Sequence, residues 1–275
     1  MALSQISEYG KGVPTMKTGK MIFFAVLGTM ALLAVEAKEK PQDQDFNGSA
    51  YQCKIFSRRI KDSGFMNLKA GGKTLIRSNR VYGSCKGGDD QNTALMEQPS
   101  AEYKWENNVL TNERFLFPRK AQSSDAEKYA KISRRIAFGP DKITVEITVT
   151  ALRDIRFPNT WQTFNEIIGI VTDSVKGMRI EGILPDDQVI SSVIPQKYDR
   201  RKWGFRKNVK QLKMTDSEKL NMVVTAAADC KLLLNHYGGR SIELVISPDI
   251  KTADLQLKAG TEIKIGYTIE FKKPE

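Results

Sequence analysis

The 275-residue chain contains one histidine, His236, within Asn235-His236-Tyr237-Gly238-Gly239-Arg240. Paired with Tyr237 or a carboxylate, it could supply a general acid and a general base. The same residue also fits a surface turn ahead of the two glycines. A denser constellation is Lys197 to Lys207, KYDRRKWGFRK, where Tyr198, Trp203 and Phe205 interleave with Arg200, Arg201, Lys202 and Arg206. Aromatic faces stack on sugar rings, and guanidinium forks bind carboxylate or sulfate through two parallel hydrogen bonds, so this mixture suits an anionic glycan. It equally suits a loop whose Trp203 plugs a sheet edge while its cations stay hydrated. Trp161 and Asn159, in Arg156 to Glu166 (RFPNTWQTFNE), could extend the same rim or bury themselves in a crossover. Glu146, Glu166, Asp173, Glu181 and Glu243 are available for paired-carboxylate hydrolysis, but their spacing selects no pair. A serine nucleophile is set aside for want of a GxSxG elbow.

Charge and cysteine usage narrow the partners. Lysine and arginine number 43 against 32 acidic residues, a net charge of +11. The N-terminus reads as an export signal: Lys17 and Lys20 precede the apolar run Ile22 to Val35, and Val35-Glu36-Ala37 offers a small-residue cleavage site. Cleavage after Ala37 is expected, giving a secreted or periplasmic protein. The apolar run is shorter than a membrane span and is broken by Gly28 and Thr29, which argues against a permanent anchor. An exported basic protein favours acidic partners such as anionic polysaccharide, lipid head groups or nucleic acid, and export argues against the last of these. The cations are also spread widely enough to serve solubility alone. Of Cys53, Cys85 and Cys230, the first two could close a disulfide in an oxidising compartment. No CxxC or His/Cys set is present, so neither a metal nor another cofactor is expected. Asp89-Asp90 lacks the further ligands of a calcium loop.

The positioning elements are strands. From Tyr129 to Leu152 (YAKISRRIAFGPDKITVEITVTAL), Ala130, Ile132, Ile136 and Phe138, then Ile143, Val145, Ile147 and Val149, alternate with polar residues about the turn Gly139-Pro140-Asp141. That pattern predicts a hairpin with one wet face, whose apolar face must lie on a second layer. Arg134 breaks the apolar parity: either it is paired inside, or the face opens there into a polar groove. Ala70-Gly71-Gly72-Lys73 and Asn107-Asn108 predict tight turns. Residues 38–50 read as a flexible leader, and Gly83 to Pro99 as a long surface loop. Thr215 to Asn235 fits a helix through Leu220, Val223, Val224 and Ala227, and fits two strands through Leu220, Met222 and Val224; two strands are preferred. Glu262 to Phe271 alternates cleanly and should complete a sheet. The expectation is an all-β protein, a large antiparallel β-sandwich of residues 51–275 with little helix, following residues 1–37 and the leader.

The run ISRRIAFGPDKITVEITV and the closing LKAGTEIKIGYTIEF resemble the sandwich modules of the galactose-mutarotase-like, or supersandwich, class. The resemblance implies carbohydrate binding or processing; the lone histidine departs from mutarotases, which commonly use more than one. The leading expectation is therefore an exported carbohydrate-binding protein, recognising an anionic polysaccharide through Tyr198, Arg200, Arg201, Trp203, Arg206 and Trp161. A carbohydrate-active enzyme using His236 with Tyr237 or a carboxylate, and a structural cell-envelope component, are the alternatives.

Overall fold

A computed structural model describes residues 43–56, 66–86, 92–98, 103–119, 127–159, 163–196, 205, 207–216, 220–237, 241–251 and 254–272, without the side chains of 235–237 and 241. The alternating segments form antiparallel strands, with one helical turn, α1 (Thr172–Val175). In chain order the strands are β1 (Gln44–Asn47), β2 (Tyr51–Ile55), β3 (Met66–Ala70), β4 (Lys73–Lys86), β5 (Asn92–Glu97), β6 (Tyr103–Glu106), β7 (Val109–Pro118), β8 (Ala130–Phe138), β9 (Lys142–Ala151) and β10 (Ile155–Phe157). There follow β11 (Asn165–Ile170), β12 (Arg179–Ile183), β13 (Val189–Val193), β14 (Gln211–Thr215), β15 (Asn221–Ala226), β16 (Cys230–Tyr237), β17 (Ser241–Pro248), β18 (Leu255–Leu257) and β19 (Glu262–Lys272).

The expected hairpin is β8 and β9, in register from Ala130↔Ala151 to Phe138↔Ile143. It lies near the middle of a layer ordered β6-β7-β8-β9-β19-β15-β14-β12-β13. The opposing layer runs β1-β2-β3-β4-β11-β17-β16, with β10 and β18 beside the end of β4. Strand β5 pairs with both β4 and β7 and so stitches the layers at one corner. The inner faces share one core, in which the Tyr51 ring stacks on Phe271 at 4.9 Å and Phe46 meets Phe138 at 5.4 Å. Residues 48–51 clamp the hairpin turn: Ser49 donates through its backbone N–H and its hydroxyl to the Pro140 carbonyl, and the Tyr51 hydroxyl donates to that of Gly139.

The two tight turns form as expected. Gly71 and Gly72, at φ 54° and 75°, join Ala70 to Lys73, and Asn107 and Asn108, at 49° and 60°, join Glu106 to Val109; left-handed φ at both central residues matches the twist of a two-residue hairpin. Thr215 to Asn235 supplies strands β15 and β16, as preferred. The helix-like impression has a cause: Val223, although it lies on the outer side of β15, is 4% exposed, so Leu220 to Val224 is a continuous buried run.

Two expectations are corrected. Gly83 to Pro99 is not one long loop, because Gly83–Lys86 continues β4 and Asn92–Glu97 forms β5. Gly83 is glycine because Phe164 presses on it: a Cβ there would sit 3.0 Å from the Phe164 Cδ1. The leader is ordered from Gln44 to Asn47, where β1 pairs with β2 and Phe46 joins the aromatic cluster. Gly182 of β12 is a similar close approach, since a Cβ would fall 2.7 Å from the Phe205 ring and 2.8 Å from a Val209 methyl. Gly182→Ala is therefore expected to overpack this end of the core and cost roughly 1–3 kcal/mol, read as a lower midpoint in urea unfolding with unchanged slope.

Candidate functional site

The wet face of the hairpin carries the site. On antiparallel strands every second side chain faces the same way, so Thr111 and Glu113 of β7, Ser133 and Arg135 of β8, and Glu146 and Thr148 of β9 stand together on the side away from the core. Register sets them in two rows, Thr111-Arg135-Glu146 and Glu113-Ser133-Thr148. With Tyr103 and Lys104 of β6 they line a recess of about 730 Å³. The first row ends opposite Glu146 at Gly266 of β19, which has no side chain of its own and is covered by Ala227, whose Cβ lies 3.1 Å from the position a Cβ would take there. Lys131 Nζ lies 2.6 Å from Glu113 Oε1, and Arg135 Nη1 lies 3.5 Å from Glu146 Oε2. The hydrogen bond from Lys131 holds the Glu113 carboxyl below its ordinary range. Both carboxylates are well exposed, at 64% and 63% of their side-chain surface.

Beneath the recess, on the inner face of the same strands, lies a buried ionic cluster. Arg134 donates from Nη1 and Nη2 to the two Glu97 carboxylate oxygens at 2.9 and 3.0 Å, Arg114 donates to Oε1 at 2.8 Å, and the Val81 N–H donates to Oε2 at 2.8 Å. Burial would raise the Glu97 pKa, but the Arg134 and Arg114 guanidiniums and the hydrogen bonds overcome it and hold the pKa at about 2. Glu166 of β11 lies 3.9 Å from Arg134 and accepts from Asn79 Nδ2 at 3.2 Å. Burial, reinforced by the Glu97 charge, outweighs Arg134 and lifts Glu166 to about 7. Tyr267 of β19 couples to the same carboxyl, and its own hydroxyl is pushed far up by burial. Arg134 is thus paired inside, the first of the two outcomes its parity break left open. The cluster is closed to a ligand, with Glu97, Arg114, Arg134 and Glu166 at most 2% exposed, and it ties β5, β7, β8 and β11 together under the recess.

Several residues singled out by type sit elsewhere. His236 and Tyr237 end strand β16, pairing with Ile242 and Ser241, so His236 lies in a strand and not in the expected turn; their side chains lie outside the described residues. Trp161, Tyr198, Arg200, Arg201, Trp203 and Arg206 lie outside them too, as does Asp89-Asp90. Phe205, from the same basic run, is buried against Gly182. Of the five carboxylates considered, Glu146 alone lines the recess. Glu166 is buried, Glu181 meets Arg179, Asp173 meets Lys176, and Glu243 meets Arg80 on the opposite layer. Glu113, the second carboxylate of the recess, went unmarked in the sequence because its neighbours come from two other strands.

The suggested Cys53–Cys85 disulfide is absent: all three cysteines are free and buried. Burial pushes the Cys85 and Cys230 thiols up to about 11. Each lies in the core of its own strand, where it behaves as a small apolar residue. Among the described residues no three His, Cys, Asp or Glu side chains are grouped to hold a metal ion, and no helix is long and apolar enough to cross a membrane.

The sequence matches no known family profile and no curated protein. Solved structures do resemble it. A galactose mutarotase-like protein from Lactobacillus casei ATCC 334 superimposes with a TM-score of 0.51 at 8% identity, covering 84% of this chain and 100% of that one. A Synechocystis sp. PCC 6803 protein gives 0.53 at 8% identity, over 86% of this chain and 97% of that one. A galactose mutarotase related enzyme from Lactobacillus acidophilus gives 0.50 at 9% identity, over 84% and 97%. The protein therefore has the galactose-mutarotase-like β-sandwich fold. At such identities the likeness is one of architecture, and function must be argued from the recess.

Proposed function

We propose that this is an exported, non-catalytic carbohydrate-binding protein whose saccharide rests in the recess over β6 to β9. The observation that carries this reading is the lining itself: hydroxyls from Thr111, Ser133 and Thr148, cations from Lys104 and Arg135, and carboxylates from Glu113 and Glu146, held on a rigid sheet. Sugar hydroxyls are recognised by alternating donors and acceptors of this kind, and a fixed sheet loses little entropy in presenting them. The galactose-mutarotase-like fold supports a sugar ligand. Binding is preferred over catalysis because the two recess carboxylates are exposed and ion-paired, and Glu113 is held low. Neither has the buried setting that keeps a general acid protonated near neutrality.

The net charge of +11 and the apolar, basic-led N-terminus support export and a polysaccharide bearing carboxylate or sulfate groups. Tyr198, Arg200, Arg201, Trp203 and Arg206, with Trp161, would extend contact along such a chain. Affinity electrophoresis and calorimetry against neutral and uronic-acid polysaccharides test the reading. Arg135→Ala and Glu146→Gln should each weaken binding about 10- to 100-fold, the loss expected for a hydrogen bond to a charged group. Retained affinity in both, with loss in Trp203→Ala, would move the ligand off the recess. Absence of retention on every glycan would sink the proposal, and turnover of a glycan abolished by His236→Ala would replace it with an enzyme.

A further inference from the structure

Strand β13 ends its layer, and among the described residues it hydrogen-bonds only to β12. Its sequence, Val189-Ile190-Ser191-Ser192-Val193, contains no charge and no proline, two of the devices that normally keep an exposed edge from pairing with another chain. Val189 and Val193 are also the most exposed large apolar residues described, at 64% and 57%.

The hydrogen bonding shows which backbone groups are free to pair. Leu184 N–H donates to the Gln188 carbonyl and Ile194 N–H to that of Met178, so the even-numbered residues turn their backbone groups toward β12. Antiparallel ladders alternate, so Val189, Ser191 and Val193 present N–H and C=O at the open edge. Their side chains share the solvent face.

We propose that this edge is a self-association surface, on which two copies of the chain pair β13 with β13 antiparallel about a two-fold axis at Ser191. In that register Val189 lies opposite Val193 of the second copy, Ser191 opposite its own counterpart, and Val193 opposite Val189. All three residues exchange both N–H and C=O, and the exposed valines cover one another. The exposed valines select this arrangement. An antiparallel dyad perpendicular to the sheet keeps the outward residues of both copies on one face, so Val189 meets Val193, whereas a parallel pairing about an axis along the strands turns the second copy over and puts them on opposite faces. The nearby charges are paired within each copy, Lys176 with Asp173, Arg179 with Glu181 and Asp187 with Lys210. The two-fold contact is isologous and closes on itself, so it yields a dimer and not a fibre.

A five-residue edge buries far less than the ~1,600 Å² of a standard interface, so the dimer is expected to be weak and concentration-dependent. Sedimentation velocity of the full chain, from low micromolar to submillimolar concentration, should show the mass rising from 30.9 kDa toward twice that value. Ser191→Pro removes only an outward-facing N–H, and Val189→Lys with Val193→Lys adds charge to the edge. Both variants should stay monomeric while melting at the wild-type temperature. Ser191→Cys should be trapped as a covalent dimer by a short bis-maleimide, because the two opposed residues lie with Cα atoms ~5.5 Å apart, within the linker's reach. A monomer at every concentration overturns the proposal. So does a dimer that persists in the Lys variant, or one that Ser191→Cys fails to trap.

Discussion

Glu97→Gln is expected to lower the unfolding free energy by roughly 3–5 kcal/mol, the loss typical when one partner of a buried ion pair is removed. The reason lies in how many groups converge on one carboxylate. Two guanidiniums and the Val81 N–H all donate to Glu97, and Arg114, Arg134 and Glu97 itself are at most 2% exposed. The amide has nearly the same shape but no charge, so it leaves Arg114 and Arg134 as cations out of water, with Glu166 at 3.9 Å as the remaining neighbouring anion. Chemical unfolding followed by fluorescence should show a large fall in midpoint at unchanged slope. A companion variant separates charge from packing. Glu97→Leu combined with Arg114→Met and Arg134→Met removes the three charges that meet at Glu97 and leaves Glu166 in its protonated form beside Asn79. Well-packed apolar replacements of buried ion pairs are commonly neutral or stabilising, so the triple variant should recover most of the loss. A Glu97→Gln change below about 1 kcal/mol would mean that water reaches the cluster and screens it.

That cluster marks the boundary of what the chain discloses in one dimension. The β8–β9 hairpin was legible because its information is local: a two-residue period on both sides of Gly139-Pro140-Asp141 fixes the strands, the turn and the register together. Asn107-Asn108 and Gly71-Gly72 were legible for the same reason. Arg134 was visible as a break in parity, but its partner was not. Glu97 sits 37 residues earlier, inside a stretch whose glycines and polar residues imitate a loop. Gly83 shows why composition misled there. A glycine demanded by close packing of Phe164 has the same letter as one demanded by a turn, and only the opposing layer tells them apart. The recess was half legible. Its lining lies on the face the alternation marks as polar, yet its members meet only through the register of β6 to β9, which brings Tyr103 and Thr148, forty-five positions apart, to one recess.

Glu166 gives the second large effect, read through pH. The groups facing it are Arg134 from β8, Glu97 from β5, Asn79 from β4 and Tyr267 from β19. Its carboxyl is raised from the ordinary 4.5 to about 7, with burial the largest cause, so the folded protein holds this proton more tightly than the unfolded chain does. The contribution to stability is therefore complete below pH 4.5 and is lost as pH rises toward 7, by about 3 kcal/mol over the interval. Glu97 has the opposite sign. Its folded value of about 2 gives stability that is present above pH 4.5 and lost as pH falls through 2. Together they place the stability maximum on the acid side of neutrality. Melting temperature should thus decline from pH 5 to pH 8 in the wild type, with a smaller share from half-buried Glu243, which is also raised by burial. Glu166→Gln keeps the neutral, hydrogen-bonding form at every pH and should flatten most of that decline while leaving the acid limb in place. If the variant and the wild type fall in parallel between pH 5 and pH 8, Glu166 is ionised throughout and Arg134 outweighs its burial. The two arginines would then be balanced by two carboxylates at neutral pH, and removing Glu166 would cost as much there as removing Glu97.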